Sequence, residues 1–353
     1  MTRKIKQMAV SILTAALILN AFSGTLVHAG ALDQLRRGAD NFSDGKEDTD
    51  YFVPVEDAGT VLDSQIEAFT AGRENPQPMD TEQVQTIVDD AADDEIVDPS
   101  GLFSIASDDD VRRALQKMLD DTKAVYAYEL AAGYIMDIAV MEQALMNVQR
   151  NDPIDSICIS SFGYTDDGMT GNLALDYSLP ASQLRTMKQE TRTLINDAVR
   201  DLTYLSGQPE IKIIYEVNEY VCNNVFYPDE DWISYPDSGY SPEDHTAWSA
   251  LKNGHAVCDG YARTCKLLLN EFGVKCDIVY GNVGLDPDFG GHAWNLVNIE
   301  NAWYHMDTCW NDGSYMRQDY FLITDDMFSG ERIWDTSLYP ATASSPYDYK
   351  GKI

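Results

Sequence analysis

Basic side chains are scarce in this 353-residue sequence: 25 lysines and arginines stand against 58 aspartates and glutamates, and the formal net charge is −33 at pH 7. A chain this acidic repels phosphates, which excludes nucleic acid as a partner. The charge has two interpretations: it keeps the protein soluble outside the cell, or it attracts calcium or basic, lysine-rich substrates. The ordered Asp/Asn spacing of a calcium-binding loop is missing, so no motif supports calcium.

Long apolar runs are also scarce. One run, residues 8–22, is too short for a comfortable membrane span, and no second apolar span follows it. Basic residues precede the run, and Val27, His28 and Ala29 follow it as a small-residue cleavage site. We therefore predict a signal peptide over residues 1–29 and a secreted, extracellular protein without a stable membrane anchor after cleavage. An uncleaved anchor is the alternative.

Composition divides the remaining chain into three parts. Residues 30–100 are polar, acidic and weakly periodic, which predicts a flexible lead-in and linker. Residues 101–206 combine helical and alternating patterns and predict a small α/β domain, whose role the sequence does not reveal. Residues 207–353 predict a catalytic domain on the evidence below. Within the middle part we predict a helix from Asp108, a strand near 125–128, a helix to about 148, a strand pair at 157–162 and 173–177, and a helix over 184–205.

The nucleophile candidate is Cys258. Gly254 interrupts the chain before a run of apolar residues at helical spacing, which Gly273 ends. Cys258 thus falls in the first turn of a predicted helix, where free backbone N–H groups and the helix dipole favour an anion. This position suits a thiolate, provided that the thiol's pKa falls from its ordinary value of about 8.5. Gly260 allows other backbone to approach closely, and a buried structural cysteine is the alternative for Cys258.

His292 and Asp307 are candidates for the base and for the acid that orients it. His292 opens an alternating run, Glu300 and Asn301 form a predicted hairpin tip, and residues 303–310 return as the next predicted strand. This hairpin places His292 and Asp307 nearly opposite each other, at about 5 Å. A carboxylate there can accept the imidazole N–H and support an imidazolium beside a thiolate.

The three candidates lie in the sequence blocks GHAVCDGYA, GHAWN and WYHMDTCW. These blocks, in this order, resemble the core of the transglutaminase-like superfamily, in the branch found in secreted bacterial proteins, over roughly residues 210–330. The resemblance implies an α+β, papain-like fold in which a nucleophile-bearing helix packs against an antiparallel sheet. It also implies that Cys258, His292 and Asp307 form a catalytic triad.

An oxyanion hole is also needed, and the backbone N–H of Cys258 is its natural first donor. The second donor stays unassigned. The indole N–H of Trp248 could donate, in a segment that resembles the one preceding the nucleophile in this branch, but core packing is the role that we prefer for Trp248. Tyr261 and Trp294 are interpreted as pocket walls or core. For His245, His255 and His305 we predict structural roles.

Relatives carry threonine where this chain has Cys309, and on a continuing strand Cys309 would share a face with Asp307. A disulfide there would move the acid. The sequence has six cysteines, and an odd number is left once Cys258 is kept as a thiolate. We therefore predict that most of them are small buried apolar residues.

The resemblance implies thiolate attack on a protein or peptide amide, release of ammonia or an amine, and a thioester intermediate. Water then gives deamidation or peptide cleavage, whereas a lysine amine gives a crosslink, and neither needs a cofactor. We slightly prefer hydrolysis, because the loop between Asn282 and Gly291 does not promise a site that excludes water. The alternative, of another class, is a catalytically silent extracellular module for binding or scaffolding.

Overall fold

The computed structural model describes residues 76–91, 103–228, 240–283, 291–312 and 319–353. The predicted signal peptide, most of the lead-in and most of the loop between Asn282 and Gly291 lie outside these residues. The helices and strands follow in this order: β1 Gln77–Pro78, α1 Thr81–Asp90, β2 Phe103–Ile105, α2 Asp108–Asp121, β3 Val125–Leu130, α3 Ile138–Asn151, β4 Ile159–Asp166, β5 Thr170–Tyr177, α4 Ala181–Asp201, α5 Glu210–Asn224, α6 Ala247–Lys252, α7 Cys258–Glu271, β6 Cys276–Val283, β7 Gly291–Ile299, β8 Ala302–Met306, α8 Thr308–Asn311, β9 Phe321–Ile323, α9 Asp325–Phe328 and β10 Arg332–Ile333.

The first sheet has the strand order β1-β4-β5-β3-β2. Its centre is antiparallel, with β5 between β3 and β4, and its two edge strands run parallel to their neighbours. Helices α2 and α3 cover the sheet, and Ser107 caps the start of α2 by accepting the backbone N–H of Asp110. The elements predicted for residues 101–206 are thus present.

The flexible lead-in predicted for residues 30–100 needs correction at residues 76–91. Gln77 and Pro78 pair with β4, and α1 packs against β4 and β5. Asp80 and Gln83 form a capping box at the start of α1, and Val84 is fully buried. The buried Val84 and the capping box stabilise residues 76–91 against the sheet, although the acidic composition of this stretch indicated a linker.

The second sheet is antiparallel throughout, in the order β10-β6-β7-β8-β9. Helix α7 packs against β6 and β7 on one side and against α5 and α6 on the other. The α+β fold class, with a helix packed on an antiparallel sheet, is confirmed. Among the described residues, no helix is both long and apolar enough to cross a membrane.

Helix α4 ends at Asp201, five residues before the predicted boundary at residue 206, and its side chains enter two apolar clusters. Ile195 and Ala198 belong to the same apolar core as α5 and α7, whereas Leu184 and Met187, about two to four turns earlier, pack with Ile157. The predicted division into domains at 206 stays a prediction, but this helix contributes buried side chains to the clusters on both sides of it.

The hairpin that carries the acid differs from its prediction. Glu300 and Asn301 form the tip, with φ of 52° and 65°, as predicted. The returning strand was predicted to run to residue 310, but β8 ends at Met306, which pairs with Asn295. Asp307 then caps the short helix α8 by accepting the backbone N–H of Trp310 at 3.1 Å. The prediction that Asp307 faces His292 directly across the strands is therefore wrong, and so is the shared strand face of Asp307 and Cys309.

Candidate active site

Cys258 is the first residue of α7, as the glycine pattern predicts. The turn before Cys258 is fixed by a hydrogen bond to an earlier segment of the chain. The backbone N–H of Val257 donates to the carbonyl of Asp244 at 2.9 Å. Gly260 faces that same turn: a Cβ there would lie 2.9 Å from the carbonyl oxygens of Asp244 and Thr246. The glycine beside the nucleophile candidate thus permits the close backbone approach that was predicted.

A buried asparagine fixes α7 against the strand that carries the base. Asn295 is fully buried, and its side-chain amide donates to the carbonyl of Ala262 at 2.9 Å. Cys258 packs in the same region, against an apolar cluster that contains Ala262 and Ala293. Because Ala293 directly follows His292, this packing brings the nucleophile and base candidates to one end of α7.

His292 and Asp307 are joined by a hydrogen bond. The distance from Nε2 of His292 to Oδ2 of Asp307 is 2.7 Å, and Asp307 is fully buried. The carboxylate reaches the ring from the cap of α8 rather than from across the hairpin. Burial alone raises the pKa of Asp307, but the His292 ring and the Arg332 guanidinium outweigh it and lower the pKa to about 2. Asp307 is therefore ionised throughout the neutral range.

The surroundings of Cys258 correct the expectation of a low thiol pKa. Burial raises the pKa of Cys258 well above its ordinary value, and the neighbouring Asp259 carboxylate raises it further. The backbone N–H of Ala293, which donates a hydrogen bond to the sulfur, acts in the opposite direction. The desolvation that raises the pKa of Cys258 therefore outweighs the stabilisation that the start of α7 gives to a thiolate. A thiolate forms here only with a partner that accepts the proton of the thiol.

Among the described residues, only one nitrogen of His292 has a hydrogen-bond partner. Its Nε2 is committed to Asp307, which leaves Nδ1 to face a substrate or thiol. Among the described residues, the Cys258 sulfur forms no hydrogen bond with the His292 ring. Such bonds are often long in ligand-free enzymes and tighten when substrate binds.

Trp294 is buried and supports the base from one side. Its ring stacks on His292 with centroids 5.8 Å apart and an interplanar angle of 25°. Its indole N–H donates to Nδ1 of His305 at 2.9 Å, and Nε2 of His305 lies 2.8 Å from Asp325. His305 thus has the structural role predicted for it. Because its N–H is occupied and its ring belongs to an apolar core cluster, Trp294 packs behind the base.

The other two pocket candidates also have occupied polar groups. Trp248 donates its indole N–H to Glu190 at 2.7 Å and packs beside Leu184 and Met187. These contacts fit the packing role that the sequence analysis preferred for Trp248, and they occupy the N–H that an oxyanion donor would need. The hydroxyl of Tyr261 is 2.6 Å from a carboxylate oxygen of Asp312, and the ring is buried in the core.

Two charged residues beside the triad were missed by the sequence analysis. Arg332 is buried and its Nη2 lies 2.7 Å from Oδ2 of Asp307. Asp259 directly follows Cys258, and its carboxylate lies 3.7 Å from Nδ1 of His245. Asp259 offered a signal, since it adjoins the nucleophile candidate. Arg332 offered none, because it lies 25 residues after Asp307 in a short strand without a motif.

All six cysteines lie in the described residues and none forms a disulfide. Cys158, Cys265 and Cys276 are buried, whereas Cys222, Cys258 and Cys309 are partly exposed. Half of the six cysteines are therefore buried, rather than most of them as predicted.

One group of three potential metal ligands occurs among the described residues, formed by Asp120, Asp152 and Asp155. Gln116 donates to Asp120 and Asp152, and Arg192 pairs with Asp155. These carboxylates thus already interact with protein donors, and none belongs to the triad.

The transglutaminase-like resemblance is supported by comparison with known proteins. Residues 197–308 match the family model described as the transglutaminase-like superfamily. The kyphoscoliosis peptidases of Mus musculus and Homo sapiens are each 22% identical over a stretch that covers 44% of this chain and 25% of the relative. The chain therefore spans about a quarter of the length of these curated relatives.

A solved structure described as that of a TGase is 14% identical, covers 59% of this chain and 57% of its own, and has a TM-score of 0.29. The family resemblance predicted from the three sequence blocks is confirmed by the family model, and residues 197–308 carry a transglutaminase-like domain.

Proposed function

We propose that this protein is a secreted, cysteine-dependent acyl-transfer enzyme that acts on protein or peptide amides. The observation that carries the proposal is the convergence of Cys258, at the start of α7, with His292 on β7, the strand against which α7 packs, and with Asp307, which is hydrogen-bonded to His292. Nucleophile, base and orienting acid are the three parts that this chemistry requires.

The reaction starts with a proton transfer. Nδ1 of His292 takes the proton of the Cys258 thiol, and the ionised Asp307 stabilises the imidazolium. The sulfur attacks the amide carbonyl carbon, and the C–N bond breaks as the imidazolium returns the proton to the leaving amine. A thioester on Cys258 remains. Water attacks it while His292 accepts a proton, which releases the carboxylic acid and restores the thiol.

The raised pKa of Cys258 fits this sequence of steps. Burial disfavours an isolated thiolate, so the sulfur becomes reactive only when His292 takes its proton. The resulting ion pair forms in a desolvated site, where the two charges attract each other strongly. The proposal therefore makes reactivity depend on His292 rather than on the helix start alone.

Hydrolysis, as deamidation or peptide cleavage, is proposed in preference to crosslinking. A crosslink requires a site that keeps water from the thioester and admits an uncharged lysine amine. Trp294 is buried behind the base, and Tyr261 and Trp248 are engaged elsewhere, so these three aromatic residues do not enclose such a channel. The net charge of −33 favours basic, lysine-rich protein or peptide substrates.

The proposed chemistry uses no cofactor, and the proposed extracellular location rests on the predicted signal peptide. A catalytically silent binding module is the second candidate. The observations that favour it are the raised pKa of Cys258 and the lack, among the described residues, of a hydrogen bond from its sulfur to His292.

Mass spectrometry of a glutamine-containing peptide, incubated with the full chain and an excess of a primary amine, tests the proposal. We expect a one-dalton deamidation shift or chain cleavage to dominate over amine incorporation. Cys258→Ala is the matched control, because it removes the thiol and little packing. Dominant amine incorporation would make the protein a crosslinking enzyme. Product formation by the Cys258→Ala variant would contradict the assignment of the nucleophile.

A further inference from the structure

The carboxylate of Asp307 is shared between two partners. Its Oδ2 lies 2.7 Å from Nε2 of His292 and 2.7 Å from Nη2 of Arg332, and its Oδ1 accepts the backbone N–H of Trp310 at 3.1 Å. The base and the guanidinium thus meet at one oxygen. The side chains of Asp307 and Arg332 are both fully buried.

Aromatic rings surround the guanidinium. Its central carbon lies 4.0 Å from the centroid of Trp310, 4.4 Å from that of Phe328 and 5.2 Å from that of Tyr320. Nη1 lies 3.9 Å from the Glu331 carboxylate, and neither Nε nor Nη1 has a hydrogen-bond partner among the described residues. The ring faces attract the cation, but they do not replace two missing hydrogen bonds.

Fold stability alone does not account for this arrangement. A buried arginine with one hydrogen-bonded acceptor and two unpaired donors is costly, and apolar side chains of similar volume would fill the space at least as well. The position of Arg332, in contact with the acid that orients the base, indicates a role in the chemistry of the site.

The charged and titratable groups around Asp307 decide in which direction Arg332 shifts the pH range in which the site reacts. They come from His292 on β7, Arg332 on β10 with Glu331 before it, His305 on β8, and Tyr320 before β9. Asp307 also faces Cys258 at the start of α7, and Cys222, Cys265 and Cys309. Asp259, next to Cys258, faces His292 instead, and its own charge is offset by Arg263 and His245. Among the groups that face Asp307, Arg332 is the one that is positive at every pH of interest.

We propose that Arg332 is a positioning residue that holds Asp307 against His292 and offsets its negative charge, which moves the pH range of the Cys258–His292 pair downward. This inference rests on the proposed function. Without the guanidinium, the unbalanced carboxylate stabilises the imidazolium and destabilises the nearby thiolate. Both limits of the reactive pH range therefore move upward.

The test measures the alkylation of Cys258 in the full chain by iodoacetamide, an uncharged reagent that needs no known substrate. The rate is followed from about pH 4 to about pH 10 by mass spectrometry of the peptide that carries Cys258. Arg332→Gln removes the charge, and Arg332→Lys keeps the charge without the planar fork. Arg150→Gln is the matched control, because Arg150 also pairs with an aspartate, Asp277, and lies 4.1 Å from an aromatic centroid, Tyr339.

We expect Arg332→Gln to shift both limbs of the profile upward by about 1 pH unit or more. Arg332→Lys should leave the limbs in place and lower the plateau rate several-fold, and Arg150→Gln should leave the profile unchanged. Asp307→Asn should shift the limbs downward. The double variant, in which both buried charges are removed, should return them towards the unmodified positions, and it keeps the test usable if Arg332→Gln alone does not fold.

Shifts of the same sign in Arg332→Gln and Asp307→Asn would overturn the inference. So would an Arg332→Gln profile that moves no more than that of Arg150→Gln, with only the thermal stability reduced. A different result marks failure of the proposed function itself: Cys258 of the unmodified chain would then react with the single pH limb and the rate of an ordinary buried thiol, and the positioning role would fall with it.

Discussion

Besides apolar residues and glycine, the strands of the first sheet bury only two tyrosines, Tyr126 and Tyr128, among the described residues, whereas those of the second bury His292, Asn295, His305 and Arg332. Both sheets have five strands and are covered by helices. The first shows that a sheet of this size packs without a buried imidazole, amide or guanidinium group in its strands. The polar groups of the second sheet therefore serve something other than packing.

Their hydrogen bonds indicate what they serve. Asn295 fixes the nucleophile-bearing helix, and His305 anchors the indole that stacks on the base. Arg332 and His292 share the acid. Each buried polar side chain therefore orients a part of the Cys258 site, which is the pattern expected of a preorganised active site.

The largest expected effect comes from removing the base, His292. We expect His292→Ala to lower turnover by about 10⁴-fold, with little change in stability, because the thiol then has no proton acceptor. Asp307→Asn should cost less, since an amide can still hold the ring. Steady-state rates with any substrate found, together with urea unfolding, check this. Equal activity of His292→Ala and the unmodified chain would contradict it.

A substitution in the core of the first sheet should instead affect stability and leave activity unchanged. Phe162 on β4 is 1% exposed and belongs to that sheet's apolar core. Phe162→Ala should lower the free energy of unfolding by about 3–5 kcal/mol, since a large side chain is lost from a packed core. Activity per folded molecule should not change. A specific loss of turnover in the folded fraction would mean that the first sheet takes part in the reaction.

The buried His305 should make the stability of the protein depend on pH. Burial lowers the pKa of His305 from 6.5 to about 4, although Asp325 opposes this. The unfolded chain therefore binds this proton more readily, and the stability that neutral His305 confers is complete above about pH 6.5 and is lost towards pH 4. The loss between pH 7 and pH 4 is about 3 kcal/mol.

Urea unfolding at the two pH values checks this prediction. His305→Gln should show a pH dependence smaller by about that amount, because the titrating group is gone. If the free energy of unfolding of His305→Gln fell between pH 7 and pH 4 by as much as that of the unmodified chain, His305 would be charged in the folded protein.

The smallest expected effect concerns the edge of the first sheet. A chain that begins at residue 103 lacks β1, α1 and the buried Val84, so its free energy of unfolding should be about 2 kcal/mol lower than that of a chain beginning at residue 76. Turnover should be equal, since neither element contacts the triad residues. Equal stability would restore the original interpretation of residues 76–91 as a linker.

The sequence predicted the parts of the site that depend on local pattern. Helical spacing and flanking glycines placed Cys258 at the start of α7, and alternation with a hairpin tip placed His292 on β7. The early end of β8 was not predictable, because residues 303–310 remain aromatic and alternating beyond Met306. The aspartate that caps α8 looks, in sequence, like one more strand residue.

The electrostatics of the site depended on contacts between distant residues. The first-turn position of Cys258 favoured a low thiol pKa, but burial and Asp259 raise it. The pairing of Arg332 with Asp307 joins two segments 25 residues apart without a motif. The indole N–H of Trp248 was a candidate donor to the oxyanion, but it donates instead to Glu190, which lies 58 residues earlier in the sequence.

If the buried polar groups of the second sheet serve a cysteine nucleophile at position 258, the full chain should be acylated there by p-nitrophenyl acetate. We predict a burst of about one equivalent of nitrophenolate and an acetyl group on Cys258 that neutral hydroxylamine removes, as expected of a thioester. Cys258→Ala and His292→Ala should show no burst. A burst of the same size in Cys258→Ala, or an acetyl group resistant to hydroxylamine on another residue, would contradict the claim.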